Sequence, residues 1–142
     1  MSAIVVNLQR KVPLDSKSFN SFLNACLKSV GETSGKYASV AFVSDRRMKE
    51  LNSLFRGKDS TTDVLSFPHE PDEFDSDSSN IGDIVISAEQ AFRQAEENGL
   101  DVENEIKQLI LHGLLHLSGY DHETDNGEMN ARELELRDKL GI

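Results

Sequence analysis

The sequence predicts an α+β fold, in which a small mixed β-sheet of about four strands packs with about five helices. Short β-branched apolar segments alternate with longer segments whose apolar residues recur at helical spacing. The resulting order, β-α-β-α-β-β-α-α-α, indicates an α+β fold with a small mixed sheet. The 142 residues can bury one core and show no internal repeat or linker. We therefore predict a single domain over residues 1–142.

Three strands and two helices are expected in the first part of the chain. The strands cover residues 3–8, 37–43 and 64–67. The first helix opens after Pro13 and Asp15, and Gly31 stops it. Its apolar stripe runs at i, i+3, i+4 spacing through Phe19, Phe22, Leu23, Cys26, Leu27 and Val30. The second helix has Ser44 as its N-cap and Gly57 at its end, and its inward-facing residues are Met48, Leu51 and Phe55.

The second part begins with an acidic, serine-rich loop at 69–81, followed by a strand at 81–86. Ser87 opens a third helix with a capping-box pattern, and Gly99 ends it. Asp101 begins a fourth helix that is apolar almost all round and should be buried. A last, strongly charged amphipathic helix is predicted over 124–140.

Composition limits the classes of protein. No apolar run approaches the roughly 20 residues of a membrane span, and the N-terminus lacks the pattern of a signal peptide. The single cysteine, Cys26, fits a reducing cytoplasm and should be a buried structural thiol. The net charge is −10, which is unusual for a protein that binds phosphate groups. The charge is uneven, however, because residues 70–77 hold five acidic residues and no basic one. Residues 46–58 form a cationic cluster of Arg46, Arg47, Lys49, Arg56 and Lys58.

Three of the four histidines form the frame H-x-x-x-H-x-x-G-x-x-H at His112, His116 and His122. The first two are four residues apart, so they project from one helix face. Gly119 can adopt a left-handed conformation and turn the chain back, bringing His122 to the same ion. Three protein ligands with the fourth position open to water are typical of catalytic zinc. The pattern therefore predicts a metal-dependent hydrolase.

The frame is the long zinc motif of metzincin proteases with one change. Gly113 stands where those enzymes carry the glutamate that acts as general base. Since glycine cannot accept a proton, the residues argue against an ordinary protease. A metalloprotease with an unconventional base remains one alternative. A binding module with a structural ion is the other.

The segment His-Gly-Leu-Leu-His-Leu-Ser-Gly-Tyr-Asp-His, at 112–122, resembles the signature of the YbeY family of bacterial endoribonucleases. Other blocks resemble that family in the same order. These blocks are Leu51-Asn52, Phe55-Arg-Gly-Lys-Asp59, Asp63-Val-Leu-Ser-Phe-Pro68 and Gly82-Asp-Ile-Val-Ile86. The likeness covers most of the chain from about residue 40 onward. One departure is Thr61, where many relatives have proline, and we expect it to alter loop stiffness rather than chemistry.

The resemblance implies a single-strand-specific metallo-endoribonuclease that acts in ribosomal RNA maturation, at the 3′ end of 16S rRNA, and in ribosome quality control. It implies single-stranded or ribosomal RNA as substrate and the ribosome or its proteins as partners. It also implies one zinc-type ion on His112, His116 and His122, and Arg56 as the functional arginine. The alternative with a structural ion would then be a ribosome-associated binding module.

Several polar residues have more than one interpretation. From the residues alone, Arg56 and Lys58 complement a helix dipole. The family resemblance instead places Arg56 beside the transition-state charge. Asp121 could orient an imidazole or serve in a turn. His69 is expected at the surface. Turn or capping roles are expected for Asp63 and Asp83.

Overall fold

The computed structural model describes residues 4–69, 79–121 and 124–142. Its strands form one sheet in the order β1-β2-β4-β3. The strands are β1 (Ile4–Asn7), β2 (Tyr37–Val43), β3 (Val64–Pro68) and β4 (Asn80–Ser87). β1, β2 and β4 run parallel, whereas β3 pairs antiparallel with β4. The prediction of a small mixed sheet is confirmed, and β3 forms one of its edges.

Within the described part of the chain, five α-helices accompany the sheet, as predicted. They are α1 (Ser16–Ser29), α2 (Asp45–Arg56), α3 (Ala88–Asn98), α4 (Val102–Leu117) and α5 (Glu128–Leu140). The predicted N-caps at Asp15, Ser44, Ser87 and Asp101 all accept backbone N–H groups through their side chains. Gly31 does not end α1 directly but begins a single 3₁₀ turn, Gly31–Thr33. No helix among the described residues is long and apolar enough to span a bilayer.

The last helix starts later than predicted. The expected start at residue 124 is wrong, because α5 begins only at Glu128. The Asp125 carboxylate accepts the N–H groups of Gly127 and Met129, both at 2.9 Å. Gly127 has a φ of 102°, outside the helical region. The residues before Glu128 therefore form a capped turn rather than helix.

The core lies between one face of the sheet and the helices α1 and α4. Ile84 and Ile86 of β4 belong to this core, whereas Val85 between them packs with a smaller cluster on the other face. That alternation is the two-residue period of a strand. Cys26 lies in the main core with no exposed surface, and burial raises the pKa of its thiol to about 12. Both observations fit the predicted structural thiol, which stays protonated at neutral pH.

α2 covers the other face of the sheet with Met48 fully buried, as predicted. The prediction that Phe55 faces inward is wrong, because 60% of it is exposed. Its ring contacts Phe67 edge-on, with centroids 5.2 Å apart. Phe67 lies on the edge strand β3, so the sheet ends at this ring and cannot bury Phe55 further.

Candidate active site

An open cleft of about 380 Å³ lies between α4, the edge strand β3 and the end of α2. It brings together residues that are far apart in sequence. They are Arg56, Val64, Ser66, Pro68, His112, His116, Gly119, Tyr120 and Asp121. The cleft therefore contains Arg56 and the two histidines of α4 that the sequence analysis singled out.

His112 and His116 lie one turn apart on the same face of α4. Their ring centroids are 4.8 Å apart and their planes meet at 78°. Both side chains are half-buried and line the cleft. Two imidazoles at this spacing on a rigid helix are a fitting donor set for a transition metal. His122, the third predicted ligand, lies outside the described residues.

Glu133 of α5 contacts the first of these histidines. His112 Nδ1 lies 2.9 Å from Glu133 Oε1, and Arg137 Nη2 donates to Glu133 Oε2 at 3.1 Å. Burial raises the pKa of Glu133, but the hydrogen bond from His112 and the nearby positive charges outweigh it, so the pKa is lowered. The carboxylate is therefore ionised and holds the His112 ring. Glu133 was not predicted from the sequence, although it lies on the same helix face as the apolar residues Met129 and Leu136.

The chain after α4 is held from two other helical segments. Gly119 has a φ of 104°, as the sequence analysis anticipated. The hydroxyl of Tyr120 donates to Glu32 Oε2 at 2.6 Å, and Arg132 Nη2 donates to Glu32 Oε1 at 3.0 Å. The bond from Tyr120 is the main reason why the pKa of Glu32 is lowered. These bonds fix Tyr120 at the cleft wall, two residues before His122.

Arg56 reaches the cleft because α2 ends there. Gly57, with a φ of 68°, is the C-cap and turns the chain away after the arginine. Among residues 4–69, 79–121 and 124–142, no carboxylate forms an ion pair with Arg56. Lys58 does not line the cleft, so the two cations at this helix end have different surroundings.

The other cations of the 46–58 cluster lie elsewhere on α2. Arg46, Arg47 and Lys49 line a separate surface depression. Arg47 pairs with Glu50 at 3.0 Å, and Arg46 approaches the same carboxylate at 4.0 Å. The cationic cluster of residues 46–58 is thus divided. Arg56 lines the cleft, whereas Arg46, Arg47 and Lys49 lie outside it and are partly neutralised by acidic neighbours.

Gly113 packs against the sheet. A Cβ atom at this position would lie 3.0 Å from Ile84 Cγ2, a contact that leaves almost no space for a side chain. The Gly113 carbonyl also accepts a hydrogen bond from Ser66 Oγ of β3 at 3.4 Å. The position that carries the general base in metzincins is therefore directed at buried Ile84.

The loop that follows Arg56 is anchored through Thr61. Asp45 Oδ1 accepts hydrogen bonds from Thr61 Oγ1 at 3.2 Å and from Ser87 Oγ at 2.6 Å. Arg93 of α3 pairs with the other oxygen of Asp45 at 2.6 Å. Burial raises the pKa of Asp45, but these bonds lower it overall. A proline at position 61 would lack the hydroxyl, so threonine ties the loop through a different interaction.

The structure also shows the contacts of the remaining polar candidates. Asp63 accepts the Val64 N–H at 2.7 Å, as expected for a turn residue. The capping or turn role predicted for Asp83 is wrong, because its carboxylate bonds Ser39 Oγ across two paired strands. His69 lies at the surface and is half-buried there, and its backbone N–H donates to the Ile81 carbonyl at 3.2 Å. The Asp121 carbonyl accepts the N–H groups of Thr124 and Asp125, and Asp121 also lines the cleft.

Nearly the whole chain is similar to proteins of one known family. The family model for endoribonuclease YbeY matches residues 5–141. An endoribonuclease YbeY from Nautilia profundicola is 52% identical over 107 residues, covering 75% of this chain and 74% of that protein. One from Koribacter versatilis is 42% identical over 97% of this chain and 86% of its own length. A solution structure of a Thermotoga maritima protein aligns with a TM-score of 0.64 and 29% identity over 96% of this chain and 88% of that one. The chain belongs to the endoribonuclease YbeY family.

Proposed function

We propose that this protein is a zinc-dependent endoribonuclease that cleaves single-stranded RNA. Its biological task would be maturation of ribosomal RNA, at the 3′ end of 16S rRNA, and ribosome quality control in the cytoplasm, with the ribosome or its proteins as partners. The observation that carries the proposal is the cleft that joins Arg56 to His112 and His116. Family membership supplies the reaction class, and the cleft supplies groups that suit it.

One zinc ion would be held by His112, His116 and His122, all through imidazole nitrogens. Because the contact with Glu133 uses Nδ1 of His112, that ligand would bind through Nε2. Such an ion, when bound, lowers the pKa of a water molecule and polarises a phosphoryl oxygen. The two described ligands fit zinc because His112 and His116 offer imidazole nitrogens from a helix that is packed in the core.

The role of Arg56 would be to bind the scissile phosphate and to stabilise the charge that grows on its oxygens. A guanidinium can do this with two parallel N–H groups, and no described carboxylate competes for it. The unpaired strand would lie against β3, whose Val64, Ser66 and Pro68 line the cleft with Arg56. Either water or the ribose 2′-hydroxyl can be the nucleophile, and a 2′,3′-cyclic phosphate end on the product would identify the hydroxyl.

The two alternative functions make different demands on the same cleft. A metalloprotease needs a general base, and position 113 offers none because it packs against Ile84. A ribosome-associated binding module with a structural ion needs a closed fourth coordination position, whereas the two described histidines line an open cleft. Both observations favour the nuclease.

The test pairs metal analysis with cleavage assays. We expect about one zinc ion per chain and cleavage of single-stranded RNA, but no cleavage of an unfolded polypeptide. His116→Ala should lower metal content and thermal stability together, because metal binding is coupled to folding. His69→Ala is the matched control, since His69 does not line the cleft. Full metal occupancy in His116→Ala would contradict the ligand assignment, and RNA binding without cleavage would favour the binding module.

A further inference from the structure

Glu133 is a buried carboxylate in a helix whose other buried residues are apolar. It is 8% exposed and lies on the face of α5 that also carries Met129 and Leu136. Burying an ionised carboxylate is costly unless hydrogen bonds and an opposite charge compensate for it. An apolar residue of similar size would remove that cost, so the glutamate needs a reason other than packing.

The contacts of Glu133 supply a specific reason. Its two oxygens have different partners, since Oε1 faces His112 Nδ1 at 2.9 Å and Oε2 accepts from Arg137 Nη2 at 3.1 Å. Because Arg137 pairs with the carboxylate through Oε2, Oε1 is placed to accept from His112, and Nδ1 then carries the hydrogen. In the neutral ring the other nitrogen, Nε2, then keeps its lone pair, which is the form that binds a metal.

Arg137 holds the Glu133 carboxylate in this position through an ion pair. The guanidinium reaches Glu133 from the next turn of α5. Its Nε is buried, and within the described part of the chain it has no hydrogen-bond partner. An unsatisfied buried donor lowers stability. Both residues therefore carry a cost, the buried charge of Glu133 and the unpaired Nε of Arg137. These costs favour a functional reason for the pair.

We propose that Glu133, held by Arg137, is a positioning residue that fixes the orientation and the Nδ1–H tautomer of His112 and so presents Nε2 of that ring to the metal ion. The inference rests on the proposed metal site. It adds that the fifth helix, and not only the histidine segment, sets the affinity of that site. Carboxylates in this relation to a ligand histidine commonly strengthen metal binding by about 10- to 100-fold.

The test uses the full-length protein and does not depend on RNA cleavage. Glu133→Gln keeps the size of the side chain but adds an amide that can donate to Nδ1. Glu133→Asp keeps the charge but is one methylene too short to hold the 2.9 Å contact. Both variants should bind zinc about 10- to 100-fold more weakly, measured by competition with a chelator. In both, the visible absorption of the Co²⁺-loaded protein should change.

Two glutamates provide matched controls. Glu105 on α4 is equally buried, at 6% exposed, but bonds Asn98 instead of a histidine. Glu135 on α5 is exposed and pairs with Arg132. Glu105→Gln and Glu135→Gln should leave zinc affinity and the Co²⁺ spectrum unchanged, even where stability falls. These controls separate loss of a buried carboxylate from loss of the contact with His112.

A second readout needs no metal. Nitrogen-15 NMR of the metal-free protein should show His112 as the Nδ1–H tautomer, and Glu133→Gln should populate the Nε2–H form. Zinc affinity within twofold of wild type in both Glu133 variants, with an unchanged Co²⁺ spectrum, would overturn the inference while leaving the metal site intact. A wild-type chain that binds no metal would overturn the proposed metal site and this inference together. If Glu133→Gln does not fold, Glu133→Asp carries the test.

Discussion

At the scale of single residues, the two cations that flank Gly57 illustrate how position decides chemistry. Arg56 lines the cleft with His112 and His116, whereas Lys58 lies outside it, although both are exposed and carry the same charge. Of these two cations, Arg56 is therefore the one placed to contact a phosphodiester in the cleft. The helix-dipole interpretation applies equally to both cations, so it cannot explain why only one of them lines the cleft.

Replacing Arg56 by alanine should reduce RNA cleavage with fold and metal content unchanged. Loss of one group that stabilises transition-state charge typically costs about 2–4 kcal/mol, which corresponds to a roughly 30- to 1,000-fold lower kcat/KM. Lys58→Ala is the matched control and should cleave at nearly the wild-type rate. Single-turnover cleavage of a short unpaired RNA measures both variants. If both variants lose the same amount of cleavage activity, Arg56 acts only as a cation at the helix end.

The sequence identifies some residues of this site and not others for a physical reason. His112 and His116 belong to one helical turn, so their spacing alone shows that they share a face. Glu133 meets His112 across 21 residues and two helices, a contact that no local pattern encodes. Its sequence signal is a glutamate among the apolar residues of an amphipathic helix, and that signal indicates a buried partner without naming it.

At the scale of elements, the cleft depends on how closely α4 and β3 approach β4. Gly113 allows α4 to lie against Ile84. Gly82 allows β4 to lie against β3, because its φ is 138° and a Cβ atom there would lie 2.3 Å from the Phe67 carbonyl oxygen. Since the cleft wall includes Ser66 and Pro68 of β3, this second close approach positions the wall.

Gly82→Ala should therefore be strongly destabilising. The left-handed strain and the clash with backbone together should lower the free energy of unfolding by roughly 2–4 kcal/mol. Gly35→Ala is the control, because Gly35 also has a positive φ, 79°, but an added methyl group would meet no described atom within 4 Å. That variant should lose only about 1–2 kcal/mol. Urea denaturation compares the two, and equal losses would mean that the contact with Phe67 is relieved by a small shift of β3.

The starts of helices could be predicted because capping residues mark them, whereas the burial of a single side chain could not. Asp15, Ser44, Ser87 and Asp101 mark helix starts by side-chain chemistry that is local in sequence. Phe55 fits the helical period of α2, yet it lies at the edge of the sheet and is exposed. Periodicity indicates which face of a helix turns inward but not how far the opposing layer extends.

At the scale of the whole molecule, charge is the main obstacle to RNA binding. The chain carries −10, and its body repels the phosphate backbone over distances of about a Debye length, near 10 Å at 0.1 M salt. The cations of residues 46–58 are the exception to this negative charge. Those at the outer end of α2 already pair with Glu50 and Asp59, but surface ion pairs of this kind contribute about 0–1 kcal/mol and exchange readily for phosphate.

RNA binding should consequently depend on salt through the cations of residues 46–58. Each phosphate neutralised on a single strand contributes about −0.7 to the slope of log affinity against log salt, so the five cations of residues 46–58 set a ceiling of roughly −3.5. Replacing Arg46, Arg47 and Lys49 by alanine should bring the ceiling to roughly −1.4. Metal content should stay unchanged because His112 and His116 lie on α4.

Replacing three exposed cations elsewhere is the control, since both triple variants carry −10 − 3 = −13. The control residues are Lys17, Lys28 and Lys36. Binding of single-stranded RNA to a His116→Ala background across a salt series gives the slopes. Equal flattening in both triple variants would show that total charge, and not the surface of α2, governs the interaction.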